Sequence, residues 1–119
     1  MRALKEYEPI VGTGVIDELH LLAERAKGLT VQNINSTFTG GGVAEILNRM
    51  IPLLLELGVN ARWDVIKGDE SFYKVTKKFH NALHGKAQDI TDKDFAVFME
   101  NSELNNRTMD LTGDVLFIH

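Results

Sequence analysis

Three groups of residues in this chain have the types and spacing to do chemistry. The first is the run Ser36-Thr37-Phe38-Thr39-Gly40-Gly41-Gly42. Glycines between a strand and a helix let the backbone come close to a phosphate or a sugar, and the free N–H groups opening the next helix favour an anion. Gly40, Gly41 and Gly42 are consecutive, so they do not form the G-x-G-x-x-G dinucleotide fingerprint. No Gly-Lys-Ser/Thr follows, which excludes a P-loop. On these residues alone, a tight strand-to-helix turn and a ligand loop fit equally well. The second group lies in Phe72 to Gly85, where Thr76, His80 and His84 recur at i, i+4 spacing with Lys77 and Asn81 beside them. This is either a solvated helix face, the more economical account, or a polar edge turned to a substrate cleft. His80 and His84 could clamp a metal, but no Glu follows His80 and no third ligand is evident, so no zinc site is expected. The third is His119, which ends the apolar run Val115-Leu116-Phe117-Ile118. Open α/β sheets place working residues at strand ends, and an imidazole there can hydrogen-bond a sugar hydroxyl or steady developing charge.

The elements that must position these residues follow from periodicity. Val15, Leu19, Leu22 and Ala26 predict a helix from about Val15 to Lys27, with Gly28 placed to end it. Leu29 to Asn35, with Thr30, Val31 and Ile34, predicts a strand that feeds the glycine loop. A strongly apolar helix is expected from Val43 to Leu57, kinked at Pro52 and closed by Gly58. Asn60 to Ile66 predicts a second strand, and Lys67 to Glu70 a turn. Ser71 to His84 predicts a helix with Phe72, Val75, Phe79 and Leu83 on one stripe. Thr91 or Asp92 is expected to cap a further helix containing Phe95, Phe98 and Met99. Asn105 to Gly113 reads as polar and irregular, and Asp114 to His119 as the clearest buried strand. Strands alternating with helices imply parallel pairing and right-handed crossovers. The fold class is therefore α/β, a Rossmann-like doubly wound parallel sheet. With only three or four strands, the sheet is expected to be the incomplete opening portion of a larger one, and its uncovered strand edge to drive homo-oligomer formation. The expected division is 1–28 as an N-terminal arm and helix, and 29–119 as the partial Rossmann-like domain.

Composition sets the frame for these elements. The chain is 44% hydrophobic and 25% charged, with a net charge of −4, which suits a globular protein and argues against a nucleic-acid or anionic-membrane surface. The densest basic stretch, Lys74, Lys77 and Lys78, reads as a solvated helix face. The sequence contains no cysteine, so disulfides and thiolate chemistry are excluded. The first residues lack the apolar run of a signal peptide, and Val43 to Val59 is too short and too polar to span a bilayer. A cytoplasmic location is expected.

Taken in order, the motifs resemble those of the trehalose glycosyltransferring synthases. Asn33 to Leu47 looks like that family's first strand, loop and helix. Trp63-Asp64-Val65-Ile66-Lys67-Gly68 and Thr76 to Gly85 look like its next two signatures, and Asp114 to His119 like the strand leading into its His-Asp-Pro-Gln motif. The resemblance covers most of the chain from Val11 onward. It implies a retaining glycosyltransferase of GT-B architecture (glycosyltransferase family 4), with this chain supplying part of the acceptor-side N-domain. Such an enzyme transfers glucose from a nucleotide diphosphate glucose to free glucose, giving trehalose, and implies no cofactor and no catalytic metal. Gly40, Gly41 and Gly42 would border the donor diphosphate and the sugars, and His119 would act catalytically beside the transferred glucose. Lys77, His80 and Asn81 would form the acceptor rim. The nucleotide-binding domain, with the basic residues and paired glutamates that neutralise the leaving diphosphate, has no counterpart here, so the chain by itself is expected to be inactive. The competing expectation, from a different class, is a non-catalytic module that binds a sugar or nucleotide through the glycine loop.

Overall fold

A computed structural model describes residues 3–119. A 3-10 helix at Leu4–Tyr7 and a short helix α1 at Glu8–Val11 precede α2 (Thr13–Arg25), β1 (Thr30–Asn35), α3 (Gly42–Glu56), β2 (Asn60–Val65), α4 (Glu70–Leu83), α5 (Asp92–Thr108) and β3 (Val115–Ile118). The sheet is parallel throughout, with β1 in the centre and strand order β2-β1-β3. The α/β class and the parallel, Rossmann-like sheet expected from sequence are thus what the chain forms, with three strands.

Two compact units emerge. One combines the chain up to Val65 with Leu111–His119; the other is Ile66–Asp110. The first holds the sheet. Ala44 and Leu47 face the core from α3, and Leu47 is 0% exposed. Ile34, Val59 and Ala61 are buried with them in this unit. Pro52 lies inside α3, and the helix runs past it to Glu56. At the other end of the chain, the Leu4 backbone N–H donates to the Glu56 carboxylate at 2.9 Å, tying the opening turn to the end of α3. The expected arm therefore contains two short helical turns, which are too brief for periodicity to reveal.

In the second unit, α4 starts at Asp69, whose carboxylate accepts the Phe72 N–H at 2.9 Å. Thr91 begins α5 with a capping box shared with Asp94. Phe72, Phe79, Phe95 and Phe98 join the two helices through ring contacts 5.3–6.2 Å apart. Lys78 crosses from α4 to Asp94 at 2.9 Å.

Three expectations need correction. Asn105 to Thr108 is helical, not irregular, because Asn105 is buried and its amide brackets the turn after β2: Oδ1 accepts the Lys67 N–H at 2.8 Å and Nδ2 donates to the Lys67 carbonyl at 2.7 Å. Leu83 leaves the apolar stripe and is 87% exposed, since it ends α4. All four residues of β3 are exposed, because its main packing partner is β1 beside it in the sheet, whereas β2, the other edge strand, is covered by α3. Its apolar sequence describes what it can bury; among the described residues none covers it.

Candidate functional site

The strand order locates the site. The chain leaves β1 on one side to form β2 and on the other to form β3, so the crossover direction reverses between β1 and β3. In open α/β sheets, the crevice beyond the C-terminal strand ends at such a reversal is where ligands bind. The glycine loop leaves β1 at that rim, and His119 leaves β3 there. The two strands run parallel with Ile34 opposite Ile118, and the His119 backbone N–H continues the ladder by donating to the Ile34 carbonyl at 2.9 Å.

The loop is braced at its base. Asn35, the last residue of β1, donates from Nδ2 to the Thr37 carbonyl at 2.8 Å and accepts the Trp63 indole N–H at 2.8 Å. Trp63 lies on β2, and its ring meets Phe38 edge-on at 5.1 Å. The Thr37 hydroxyl donates to the Thr39 carbonyl at 2.6 Å, and Asn48 on α3 donates to the Phe38 carbonyl at 3.4 Å. Gly40 and Gly41 have φ of 75° and 86°. Gly41 also has ψ of 155°, a region open essentially to glycine alone. It precedes α3 with no side-chain cap, so no side chain at that position satisfies the first N–H groups of the helix. Phe38 is 54% exposed on this loop.

Behind the rim, β1 carries a run of buried amides unusual for a central parallel strand. Gln32, Asn33 and Asn35 are all buried. Gln32 donates to Asp64 at 2.8 Å and accepts the Gly113 backbone N–H at 3.1 Å. Asp64 in turn pairs with Arg62 at 3.2 Å, and Arg62 reaches the Thr112 hydroxyl at 3.1 Å. This network sets the approach to β3 and therefore the place where His119 emerges. On the opposite face of the strand, Asn33 meets the His119 ring, with Oδ1 and Nε2 3.1 Å apart. That ring, Asn33 and Phe117 also line an apolar recess of about 440 Å³, walled by α2 and α3 residues such as Leu19, Leu22, Met50 and Leu54.

Lys77, His80 and Asn81 lie on α4, in the other unit. Lys77 and His80 are exposed and Asn81 is half-buried. The His80 and His84 rings stand 4.3 Å apart, and His84 Nδ1 contacts the His80 carbonyl at 2.8 Å. Among the described residues, no group of three or more His, Asp or Glu is placed to hold a metal, and no helix is long and apolar enough to cross a membrane. The structure thus brings the glycine loop and His119 to one rim. Sequence reasoning passed over Asn33, Asn35, Trp63 and the Gln32 network. The available signal was amides recurring inside a strand expected to be buried, each of which must find a partner.

A glycine bend and a strand-end histidine on either side of the reversal in a parallel sheet define an α/β domain of the kind that handles ligands at its C-terminal rim. The chain belongs to the trehalose synthase family: residues 33–119 match the family described as "Trehalose synthase, N-terminal domain". It is 38% identical over 120 residues to a trehalose synthase of Pyrococcus horikoshii and 39% identical over 120 residues to one of Thermococcus litoralis, in each case covering 99% of this chain. A trehalose phosphorylase of Grifola frondosa is 35% identical over 86 residues, covering 71% of this chain and 12% of that protein. The chain spans about 29% of the length of the two trehalose synthases.

Proposed function

We propose that this chain supplies the acceptor-side part of a retaining GT-B glycosyltransferase, in which glucose passes from a nucleotide diphosphate glucose to the anomeric hydroxyl of glucose to give trehalose. The observation that carries this is the convergence of the glycine loop and His119 on the rim where β1 and β3 diverge in connectivity. Gly40, Gly41 and Gly42 let the backbone approach the diphosphate and sugars, and the uncapped start of α3 favours the anion. His119 sits beside the transferred glucose, where a ring nitrogen can bond a hydroxyl. Lys77, His80 and Asn81 contribute an acceptor rim. The loop from Ser36 to Gly42 carries no Lys or Arg, so the charge of the leaving diphosphate is met by groups on a second, nucleotide-binding domain. The protein works in the cytoplasm, without a cofactor.

Replacing the corresponding N-terminal part of the Pyrococcus horikoshii trehalose synthase with this chain tests the reading. The chimera should form trehalose from nucleotide diphosphate glucose and glucose, whereas the 119-residue chain by itself should give no product above background. A folded chimera that makes none, or clear product from the chain alone, would overturn it. The alternative of a non-catalytic binding module predicts instead that the chain alone saturates with sugar or nucleotide at useful affinity.

A further inference from the structure

We propose that Asn33 is a positioning residue that holds the neutral His119 ring with its proton on Nε2, leaving Nδ1 as the ring's acceptor for a substrate hydroxyl. The inference rests on the reading that His119 faces the sugar, and it assigns Asn33 a part in how that residue is presented.

Burial constrains the Asn33 amide first. Asn33 is 1% exposed in the central strand, so each polar atom of its amide must be met by a defined partner. Its Nδ2 donates to the Arg62 carbonyl on β2 at 3.4 Å. That bond turns Oδ1 away from β2, toward β3, where His119 Nε2 stands 3.1 Å from it. A carbonyl oxygen only accepts, so Nε2 must carry the hydrogen. A neutral imidazole has one N–H, and the other nitrogen is then an acceptor.

Position is fixed as well as tautomer. Register places Asn33 opposite Phe117 and Ile34 opposite Ile118. The His119 backbone is held by its N–H to the Ile34 carbonyl, and the ring lies 6.5 Å from the Phe117 ring at an angle of 21°. Backbone and ring are thus anchored on the same strand, from two different atoms. A ring fixed in this way approaches a sugar as an acceptor of a hydroxyl hydrogen. The opposite tautomer would offer a donor to the same hydroxyl and leave the buried Asn33 carbonyl oxygen without this partner.

Ring-nitrogen NMR on the 15N-labelled 119-residue chain tests this at about pH 8.5, well above the ordinary histidine value of about 6.5. His119 and His20 are both exposed, so His20, which lacks the contact to a buried amide, serves as the internal control. His119 should show a protonated, pyrrole-type Nε2 and an unprotonated, pyridine-type Nδ1. Its Nε2–H should exchange with water more slowly than the ring N–H of His20 and show a cross-peak to the Asn33 side chain, which His20 should not. Asn33→Leu should remove the protection and the cross-peak, and bring the two nitrogen shifts of His119 to the averaged values of His20. Asn33→Asp, which keeps an acceptor oxygen, should retain the protected Nε2–H. A wild-type spectrum with the proton on Nδ1, or one matching His20, would refute the proposal by itself, whether or not the variants fold. An unchanged ring in folded Asn33→Leu would refute it too. The trehalose-forming chimera reads a different quantity, so failure there with the Nε2–H tautomer intact would strike the sugar-facing role and not the tautomer.

Discussion

The indole N–H of Trp63 donates to Asn35 Oδ1 at 2.8 Å, and the same amide donates from Nδ2 to the Thr37 carbonyl at 2.8 Å. One buried side chain thus joins the neighbouring strand to the first turn of the glycine loop. Asn35→Leu removes both bonds and leaves the indole N–H without its acceptor. The expected cost is about 1–3 kcal/mol, read from the urea midpoint. Trp63 is the single tryptophan of the chain, so its emission reports directly on the bond. An unchanged midpoint together with unchanged emission would show that the loop is braced elsewhere.

The glycines of the loop should separate backbone strain from crowding. An added Cβ meets nothing within 4 Å at either Gly41 or Gly42. Gly41 nevertheless has φ of 86° and ψ of 155°, whereas Gly42 is the first helical residue of α3. Gly41→Ala should therefore cost roughly 1–3 kcal/mol through conformation alone, and Gly42→Ala should be close to neutral. Gly113→Ala acts by the other mechanism. Its Cβ would lie 2.6 Å from that of Gln32, which is 0% exposed, so overpacking of about 1–3 kcal/mol is expected. Thermal melts of the three variants should rank Gly42→Ala highest; equal losses at Gly41 and Gly42 would remove the conformational argument.

The course of the chain was largely legible because its signals were local. Thr91 opening a helix, Gly58 after the apolar pattern and the alternation of strand and helix each reflect interactions within a few residues. What stayed hidden depends on partners distant in sequence. Asn105 looked like loop material because its value to the fold is a pair of bonds to Lys67, which no helical period announces. Asn33 looked like an ordinary strand residue because its partner is His119, 86 positions away. The glycine loop and His119 each follow a strand expected to pair in parallel, so their shared rim was legible in the sequence; the β2-β1-β3 order, which makes β1 and β3 neighbours and brings His119 against Asn33, is not encoded by hydrophobic patterning.

Acid should loosen the unit formed by α4 and α5 in a defined direction. The Lys78 ammonium, at 2.9 Å, and then the Thr91 backbone N–H hold the Asp94 carboxyl below its ordinary value of 3.8. The Ser71 hydroxyl and then the Phe72 N–H do the same for Asp69. The unfolded chain takes up protons at the ordinary value while the folded chain resists until lower pH. The stabilisation is therefore complete above 3.8 and disappears as the pH falls through the depressed folded values. Helical circular dichroism in fixed urea should be flat above about pH 5 and decline below about pH 4. In Asp94→Asn the signal should be weaker throughout and its acid decline shallower. A variant as acid-sensitive as the wild type would assign the decline to other carboxylates.

Strand β3 is open to association. Its Val115, Leu116, Phe117 and Ile118 are all exposed, with Ile118 at 79%, and among the described residues one edge of the strand has no neighbour in the sheet. Unpaired backbone groups flanked by apolar side chains form a template for another strand. The uncovered edge is expected to make this chain self-associate, with a second copy adding at β3. Sedimentation should show mass increasing with protein concentration. Ile118→Lys places a charge on the exposed face of the strand without touching the core, and it should shift the distribution toward monomer while leaving the helical signal intact. A sharp monomer peak across the accessible concentrations, with cooperative melting of the wild-type chain, would show instead that the edge is silent.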